Sequence, residues 1–255
     1  MPNEFCDITE AGDGTVRLTL ANAGKANILS TPVMDGLIAG LAQLALRDDI
    51  RLLVLTAGGE RAFIAGADLA EMAELDPASA RAFIGRLRDL CEAVRSFPVP
   101  VVARIAGWCL GGGLELAMAC DLRIAARHAK FAMPEVKVGI PSVIHAALLP
   151  RLIGAGRARW MILSGETIDA ETALHWGLVD HVAEMAQLDD AVATMIAPIL
   201  ACAPEAIRAQ KVLFRQWEEL PFSEAVAASI EVFGQAFASD EPGRRMRAFL
   251  DRKGK

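Results

Sequence analysis

The stretch VPVVARIAGWCLGGGLELAMACDLRIAA, residues 99–126, contains a complete strand–helix–strand pattern. Residues 99–105 are mainly apolar and β-branched, and a proline and a glycine bound them, which predicts a buried strand. A helix is predicted over residues 114–120, and a further short strand over residues 121–126. Because strands that are buried on both faces have continuous apolar runs, this stretch predicts a sheet covered on both sides.

The same alternation extends through most of the chain. Two more strands and then two amphipathic helices are predicted at residues 16–21, 50–56, 31–46 and 80–96. From about Gln187 the pattern becomes helical throughout. We therefore predict an α/β domain over residues 1–196 and a helical region over residues 197–255, which packs on the core or on another subunit.

Composition and charge exclude several classes of protein. The 255 residues are 53% hydrophobic and 23% charged, which is enough apolar material for a sizeable core. A net charge of −6 argues against nucleic acid as a general partner, and no basic run suggests a membrane surface. No secretory signal and no transmembrane span are predicted.

The cysteines and histidines point to a reducing compartment without a metal site. Five scattered cysteines form no C-x-x-C pair, and the four histidines show no H-x-x-x-H spacing. Reduced thiols of this kind are typical of the cytoplasm, so we predict a cytoplasmic protein with neither a disulfide framework nor bound metal.

A first candidate binding segment is RAFIAGADL, residues 61–69, which follows a strand and precedes a helix that starts at Leu69. Small residues let a ligand approach the backbone, and the N–H groups at a helix start can donate to it. Taken alone, the segment is better interpreted as a tight strand–helix connection.

A second candidate is the glycine triplet 111–113, which opens a helix and exposes backbone N–H donors. Glu115 lies three residues after Gly112, on the same side of the helix one turn on. An acid near a helix N-terminus can simply stabilise the helix. However, the neighbours of Glu115 are apolar, and a buried carboxylate must be hydrogen-bonded, paired or functional.

The third candidate is Glu135, in the segment FAMPEVKVGIP, residues 131–141. The simpler interpretation is an exposed loop acid that pairs with Lys137. Ser142 and His145 follow three residues apart, a spacing that would suit a nucleophile and its base, but no third group is evident.

Together, these segments resemble the crotonase, or enoyl-CoA hydratase/isomerase, superfamily. The motifs of that family occur here in its order and spacing, at residues 25–27, 63–72, 107–115, 133–135 and 165–182. The resemblance implies a crotonase-like spiral of ββα turns with a C-terminal helical trimerisation region, assembled as a homotrimer or a homohexamer. It also implies an acyl-CoA thioester as substrate, with coenzyme A as part of that substrate and no other cofactor.

The resemblance also assigns site residues. The backbone N–H groups of Ala67 and Gly112 would form an oxyanion hole. Glu135 would exchange the α-proton, and Glu115 would orient and activate water. Contacts with the substrate and its coenzyme A are implied at Lys25, Ala26, Ala65, Gly66, Ala67, Asp68, Leu69, Gly111, Phe249 and Arg252.

Glu115 and Glu135 match the two glutamates of the family's hydratases, so the resemblance implies an enoyl-CoA hydratase. Two acids suit this reaction, because one group must activate the water and another must deliver a proton to the α-carbon. One departure concerns residues 140–147, IPSVIHAA, where the family usually has a Pro-Gly-x-Gly-Gly loop. His145 in this loop is either a second base or a packing residue. The alternatives are an enoyl-CoA isomerase or another enolate-forming acyl-CoA enzyme, with Glu135 as the main base, and a non-catalytic acyl-CoA-binding protein.

Overall fold

The computed structural model describes residues 4–253, and for the last two of these only the backbone. The strands in this part of the chain are Cys6–Glu10 (β1), Thr15–Leu20 (β2), Leu52–Ala57 (β3), Ala62–Ile64 (β4), Val101–Ile105 (β5), Trp108–Leu110 (β6), Leu122–Ala126 (β7), Lys130–Ala132 (β8), Ile168–Asp169 (β9) and His181–Ala183 (β10). The α-helices are Thr31–Ala45 (α1), Leu69–Ala73 (α2), Pro77–Arg95 (α3), Gly112–Ala119 (α4), Leu149–Ile153 (α5), Ala155–Ser164 (α6), Ala170–Trp176 (α7), Leu188–Leu200 (α8), Pro204–Glu219 (α9), Phe222–Gln235 (α10) and Glu241–Lys253 (α11).

The strands form two sheets, and from β3 to β8 successive strands of the chain lie alternately in one sheet and the other. The larger sheet has the order β1-β2-β3-β5-β7-β10 and the smaller one β4-β6-β8-β9. All pairs are parallel except β1 with β2 and β8 with β9. The successive pairs β3–β4, β5–β6 and β7–β8 each place one strand in each sheet, and helical segments follow each pair. This arrangement confirms the predicted spiral of ββα turns.

Both faces of the larger sheet are buried at its central strands β3, β5 and β7. On β3, Leu53 and Leu55 pack into the main core with helices α1, α3 and α4, whereas Leu52 and Val54 pack with α8 on the opposite face. Alternate side chains of one strand therefore enter different cores. Double coverage explains the continuous apolar runs from which these strands were predicted.

The junction between β6 and α4 makes a tight backbone contact with the smaller sheet. A Cβ atom at Gly113 would overlap the backbone carbonyl oxygen of Ile64 in β4, so only glycine allows this approach. Gly111 has a φ of +50°, which glycine adopts without strain. Every residue of α4 is buried. The first turn of α4 is thereby held against β4.

The C-terminal region is helical, as predicted. The predicted boundary between residues 196 and 197 falls inside α8, which packs on the sheet, and the division into two regions stays a prediction. Among the described residues, no single helix is long and apolar enough to cross a membrane. Only the bent pair Met185–Leu200 and Pro204–Glu219, which meet at 101°, combines that length and composition.

Helices α9 to α11 expose many large apolar side chains, which we call the C-terminal apolar face. Its members are Val212, Phe214, Trp217, Leu220, Phe222, Val226, Ile230, Phe233, Phe237, Met246, Phe249 and Leu250. Phe222 is 86% exposed and Ile230 is 74% exposed. Exposed large apolar side chains in this number on a folded chain usually mark an interaction site.

The Gly113 contact predicts a selective loss of stability. Gly113→Ala forces a methyl group onto a backbone carbonyl, and overpacking of this kind costs about 1–3 kcal/mol of the unfolding free energy. Gly85→Ala is the matched control, because Gly85 lies inside α3 with nothing within 4 Å of an added Cβ. Alanine there is expected to stabilise by about 0.5–1 kcal/mol. Equal unfolding midpoints for the two variants in urea would contradict the assigned contact.

Candidate active site

A cleft of about 580 Å³ lies between the segment that leads into α2, helix α3, the start of α4 and the segment after β8. Its wall is mainly apolar and includes Phe83, Ile84 and Leu87 of α3. Nine residues predicted for the site line it: Ala65, Gly66, Ala67, Asp68, Leu69, Gly111, Gly112, Glu115 and Glu135. The fold therefore brings together three segments that are separate in the sequence.

Two backbone N–H groups at this cleft are left without a protein acceptor. Ala67 lies opposite Leu29 in an isolated bridge whose hydrogen bonds use the Gly66 carbonyl and the Asp68 N–H instead. Gly112 is the first residue of α4, where backbone N–H groups have no partner within the helix. Within residues 4–253, neither the Ala67 N–H nor the Gly112 N–H donates to a protein atom. Both are available to a ligand.

Glu115 is the fourth residue of α4, and only 3% of this acidic residue is exposed. Its Oε1 atom accepts a hydrogen bond of 2.8 Å from the backbone N–H of Ala146. Burial raises the pKa of Glu115 from its ordinary value of 4.5 to about 8. The Ala146 N–H opposes this rise, and the nearby charge of Glu135 adds to it. At neutral pH the protonated form of Glu115 is therefore favoured.

Glu135 begins the 3-10 turn Glu135–Val138 at another wall of the cleft. The hydroxyl of Ser142 donates a 2.7 Å hydrogen bond to its Oε2 atom. The Oε1 atom lies so close to Gly111 that a Cβ there would overlap it. Lys137 pairs with Glu166 at 2.8 Å, so the simpler interpretation of Glu135 as the partner of Lys137 is wrong.

Ser142 and His145 do not form a nucleophile–base pair. Ser142 binds Glu135, whereas the Nε2 atom of His145 lies 2.8 Å from Oε1 of Glu92 on α3. His145 is buried and is absent from the cleft wall. Sequence reasoning did not identify Ser142 as a contact of Glu135, because seven residues and a turn separate them.

Three of the remaining predicted contacts, Lys25, Ala26 and Phe249, are absent from the cleft wall. The Ala26 carbonyl accepts a hydrogen bond of 3.0 Å from the Ala65 N–H, so Ala26 helps to hold the cleft-lining segment that begins at Ala65. Lys25 is exposed, and Phe249 is exposed on α11. The side chain of Arg252 lies outside the described residues. These four coenzyme A contacts stay predictions.

Asn27 is a supporting residue that sequence reasoning only quoted as part of a motif. It is buried with a φ of +52°, and its amide donates to the carbonyls of Gly58 and Ala62 at 3.0 and 2.8 Å. It thereby joins the loop before α1 to β4.

Among residues 4–253, no group of three or more histidine, cysteine or acidic side chains is arranged to hold a metal ion.

The raised pKa of Glu115 predicts how stability changes with pH. The folded protein binds the Glu115 proton more tightly than the unfolded chain, whose ordinary value is 4.5. The contribution is therefore complete below about pH 4.5 and is lost as the pH rises through about 8. In this window the wild-type unfolding free energy should fall, relative to Glu115→Gln, by at most about 1.4 kcal/mol per pH unit.

Urea unfolding of the wild type and Glu115→Gln at a series of pH values measures this difference. Since both proteins carry every other titratable group, their difference isolates Glu115. Asp76→Asn is a control at an exposed helix cap, where no dependence above pH 6 is expected. A wild-type curve parallel to that of Glu115→Gln from pH 5 to 8 would contradict the assignment.

Comparison with known proteins agrees with this geometry. The profile of the family described as Enoyl-CoA hydratase/isomerase matches residues 10–255. A short-chain-enoyl-CoA hydratase of Clostridium acetobutylicum is 31% identical over 94% of this chain and 93% of its own length. A crotonyl-CoA hydratase of Syntrophomonas wolfei is 35% identical over 83% of both chains. The crystal structure of an enoyl-CoA hydratase from Bacillus anthracis superposes with a TM-score of 0.91 at 30% identity, covering 97% of this chain and 96% of that one. With its fold, its cleft and this similarity in agreement, the chain belongs to the enoyl-CoA hydratase/isomerase family.

Proposed function

We propose that the protein is an enoyl-CoA hydratase, which adds water across the 2,3 double bond of a 2-enoyl-CoA thioester. The observation that carries this proposal is the presence of Glu115 and Glu135 on one cleft, together with the free N–H groups of Ala67 and Gly112. Thioester binding alone requires neither acid, so a pair of acids supports chemistry at the double bond. The proposed reaction uses no cofactor besides the coenzyme A of the substrate.

The two N–H groups stabilise the negative charge that forms on the thioester oxygen. Addition of water at C3 pushes the electron pair of the double bond through C2 onto that oxygen, which gives an enolate. Backbone donors that are already aimed at this position require no rearrangement during the reaction. Each donor of this type contributes about 3–4 kcal/mol to transition-state stabilisation.

The two carboxyl groups accept and supply the protons that move when water is added. Water forms the C–O bond at C3 and loses one proton to a carboxylate, while a carboxylic acid gives its proton to C2. The pair therefore needs one proton in total and has one again at the end. In the free protein, burial favours Glu115 as its holder. We assign the C2 proton to Glu135 and the water to Glu115. The proton that Glu115 holds in the free protein therefore passes through the water to Glu135 before the addition, which leaves Glu115 as the carboxylate that accepts the proton of water and Glu135 as the acid that protonates C2. After the addition Glu115 holds the proton again.

The cleft wall and the relatives suggest the kind of acyl group. Side chains of α3 and of the segment 138–143 line the cleft with apolar surface, which suits a hydrocarbon chain. Two relatives carry the names short-chain-enoyl-CoA hydratase and crotonyl-CoA hydratase. We therefore choose crotonyl-CoA as the first substrate. Ile140 and Val143 make the segment after Glu135 bulkier than the glycine-rich loop usual in the family.

The test is to mix the purified protein with crotonyl-CoA and follow the loss of the conjugated enoyl-thioester absorbance. We expect turnover by the wild type and a loss of at least about a hundredfold in kcat for Glu115→Gln and for Glu135→Gln, which have the same shape but no acid–base function. Glu166→Gln changes the charged partner of Lys137, is absent from the cleft wall and serves as a control for indirect effects, with turnover expected to stay close to that of the wild type.

Product analysis by mass and chromatography identifies the reaction. A 3-hydroxyacyl-CoA product supports hydration. Isomerisation of a 3-enoyl-CoA without uptake of water would replace the proposal by the isomerase, with Glu135 as its base. Binding of crotonyl-CoA without any turnover would favour a non-catalytic acyl-CoA-binding protein.

We further propose that copies of the chain assemble through the C-terminal apolar face as a trimer or a dimer of trimers. Phe222, Ile230 and Phe233 are too exposed for side chains of this size on a monomer, and burial of each contributes about 2 kcal/mol or more. Phe249 belongs to this face, which would bring it towards a neighbouring subunit. The predicted cytoplasmic location places no constraint on this assembly.

Light scattering coupled to gel filtration tests the assembly. The wild type should elute at three or six times the chain mass of 27.2 kDa. The double change Ile230→Asp and Phe233→Asp should shift it to the monomer, because two charges would be buried in the interface. Leu46→Asp alters an equally exposed apolar residue outside this face and should leave the mass unchanged. A monomeric wild type would contradict the proposal.

A further inference from the structure

One 3-10 turn, Ile144–Leu148, contacts Glu115 and a second acid at the same time. The Ala146 N–H donates to Oε1 of Glu115 at 2.8 Å, and the adjacent His145 contacts Oε1 of Glu92 at 2.8 Å. We propose that Glu92 and His145 are a positioning pair, which holds this turn so that the Ala146 N–H stays on Glu115. The inference rests on the proposed function, in which Glu115 acts on water.

Glu92 is a firmly ionised anchor on α3. Its Oε1 atom accepts from Arg95 and its Oε2 atom from Arg215 of α9, at 2.8 and 2.7 Å. Burial alone would raise the pKa of Glu92, but hydrogen bonds from Arg95 and His145 outweigh it and lower the pKa to about 2. The carboxylate is therefore charged throughout the working pH range, and three side chains from three segments meet on it.

His145 serves this anchor in its neutral form. Burial lowers the pKa of His145, and the contact with Glu92 only partly offsets that effect. The neutral ring then donates from Nε2 to Glu92 and leaves Nδ1 unprotonated. Among the described side chains Nδ1 has no partner, so the ring makes its polar contact in one direction only. Since His145 does not line the cleft, it acts through the turn that carries it.

The backbone beside His145 explains why the turn needs an anchor. Ile144 has a φ of +40°, a conformation that a β-branched residue adopts only when its surroundings impose it. The contact of His145 with Glu92 holds the chain on one side of Ile144, and Ser142 holds it on the other through Glu135. Without the anchor, Ile144 can relax to a negative φ, which moves the Ala146 N–H away from Glu115.

Loss of that donor has a defined electrostatic consequence. The Ala146 N–H favours the charged form of Glu115, so its removal raises the pKa of Glu115 above the present value of about 8. The other ionisable group that raises the pKa of Glu115 is Glu135 across the cleft. Cys91 on α3 keeps its thiol protonated, because burial and the charge of Glu115 raise its pKa. Arg95 and Arg215 face Glu92, not Glu115.

The experiment compares His145→Leu, which removes the anchor, with His145→Gln, whose amide N–H can still reach Glu92. We expect His145→Leu to lower kcat at least tenfold with little change in KM, and to move the pH profile upwards by about one unit. His145→Gln should restore most of both. Lys211→Met breaks a different buried ion pair, with Asp121, and is the control for general destabilisation.

A readout without turnover separates this inference from the proposed function. The pH dependence of unfolding is measured for His145→Leu and for His145→Leu with Glu115→Gln, and their difference reports the titration of Glu115. The upper pH limit of this titration should lie about one pH unit higher than the limit measured by comparing the wild type with Glu115→Gln. If His145→Leu lowers stability as Lys211→Met does and leaves this limit unchanged, the positioning role is overturned. An inactive wild type with a shifted limit would instead refute only the hydratase proposal.

Discussion

The contact of the first turn of α4 with β4 is the constraint on which the site depends. Gly113 lets the helix backbone approach the Ile64 carbonyl, where any side chain would overlap it. That approach places the free Gly112 N–H at the cleft and buries Glu115 one turn further along the helix. The same packing that creates the donor therefore also removes Glu115 from water. Burial then raises the pKa of this acid and favours its protonated form.

The second constraint is the segment that follows β8, because it holds both acids. Ser142 donates to Glu135, and Ala146 donates to Glu115, so the two carboxyl groups share one structural support. A loop richer in glycine could not supply a hydroxyl at the first of these positions. The departure from the usual family loop thus adds a side-chain contact to the site, and it also adds the bulk of its apolar residues to the cleft wall.

Prediction from the sequence succeeded where one element contains its own signal. The β5 strand and helix α1 begin and end within two residues of the predicted limits, since apolar runs and helical periodicity are local features. The strands β4, β6 and β8 have three residues each, which is too short for an alternating pattern to be visible. They are stabilised by pairing with one another, and this pairing cannot be inferred from any single segment of the sequence.

By itself, the sequence determined the alternation of strands and helices and the family, because these follow from local patterns and from motif order. The resemblance to the family implied the spiral of ββα turns and assigned roles to Glu115 and Glu135, and those roles stay predictions. Only the tertiary structure decided that Lys137 pairs with Glu166, that His145 faces Glu92 and that Ser142 supports Glu135. Each of these contacts depends on which way a turn directs a side chain. That direction is set by long-range packing, and so are the burial and proton affinity of Glu115.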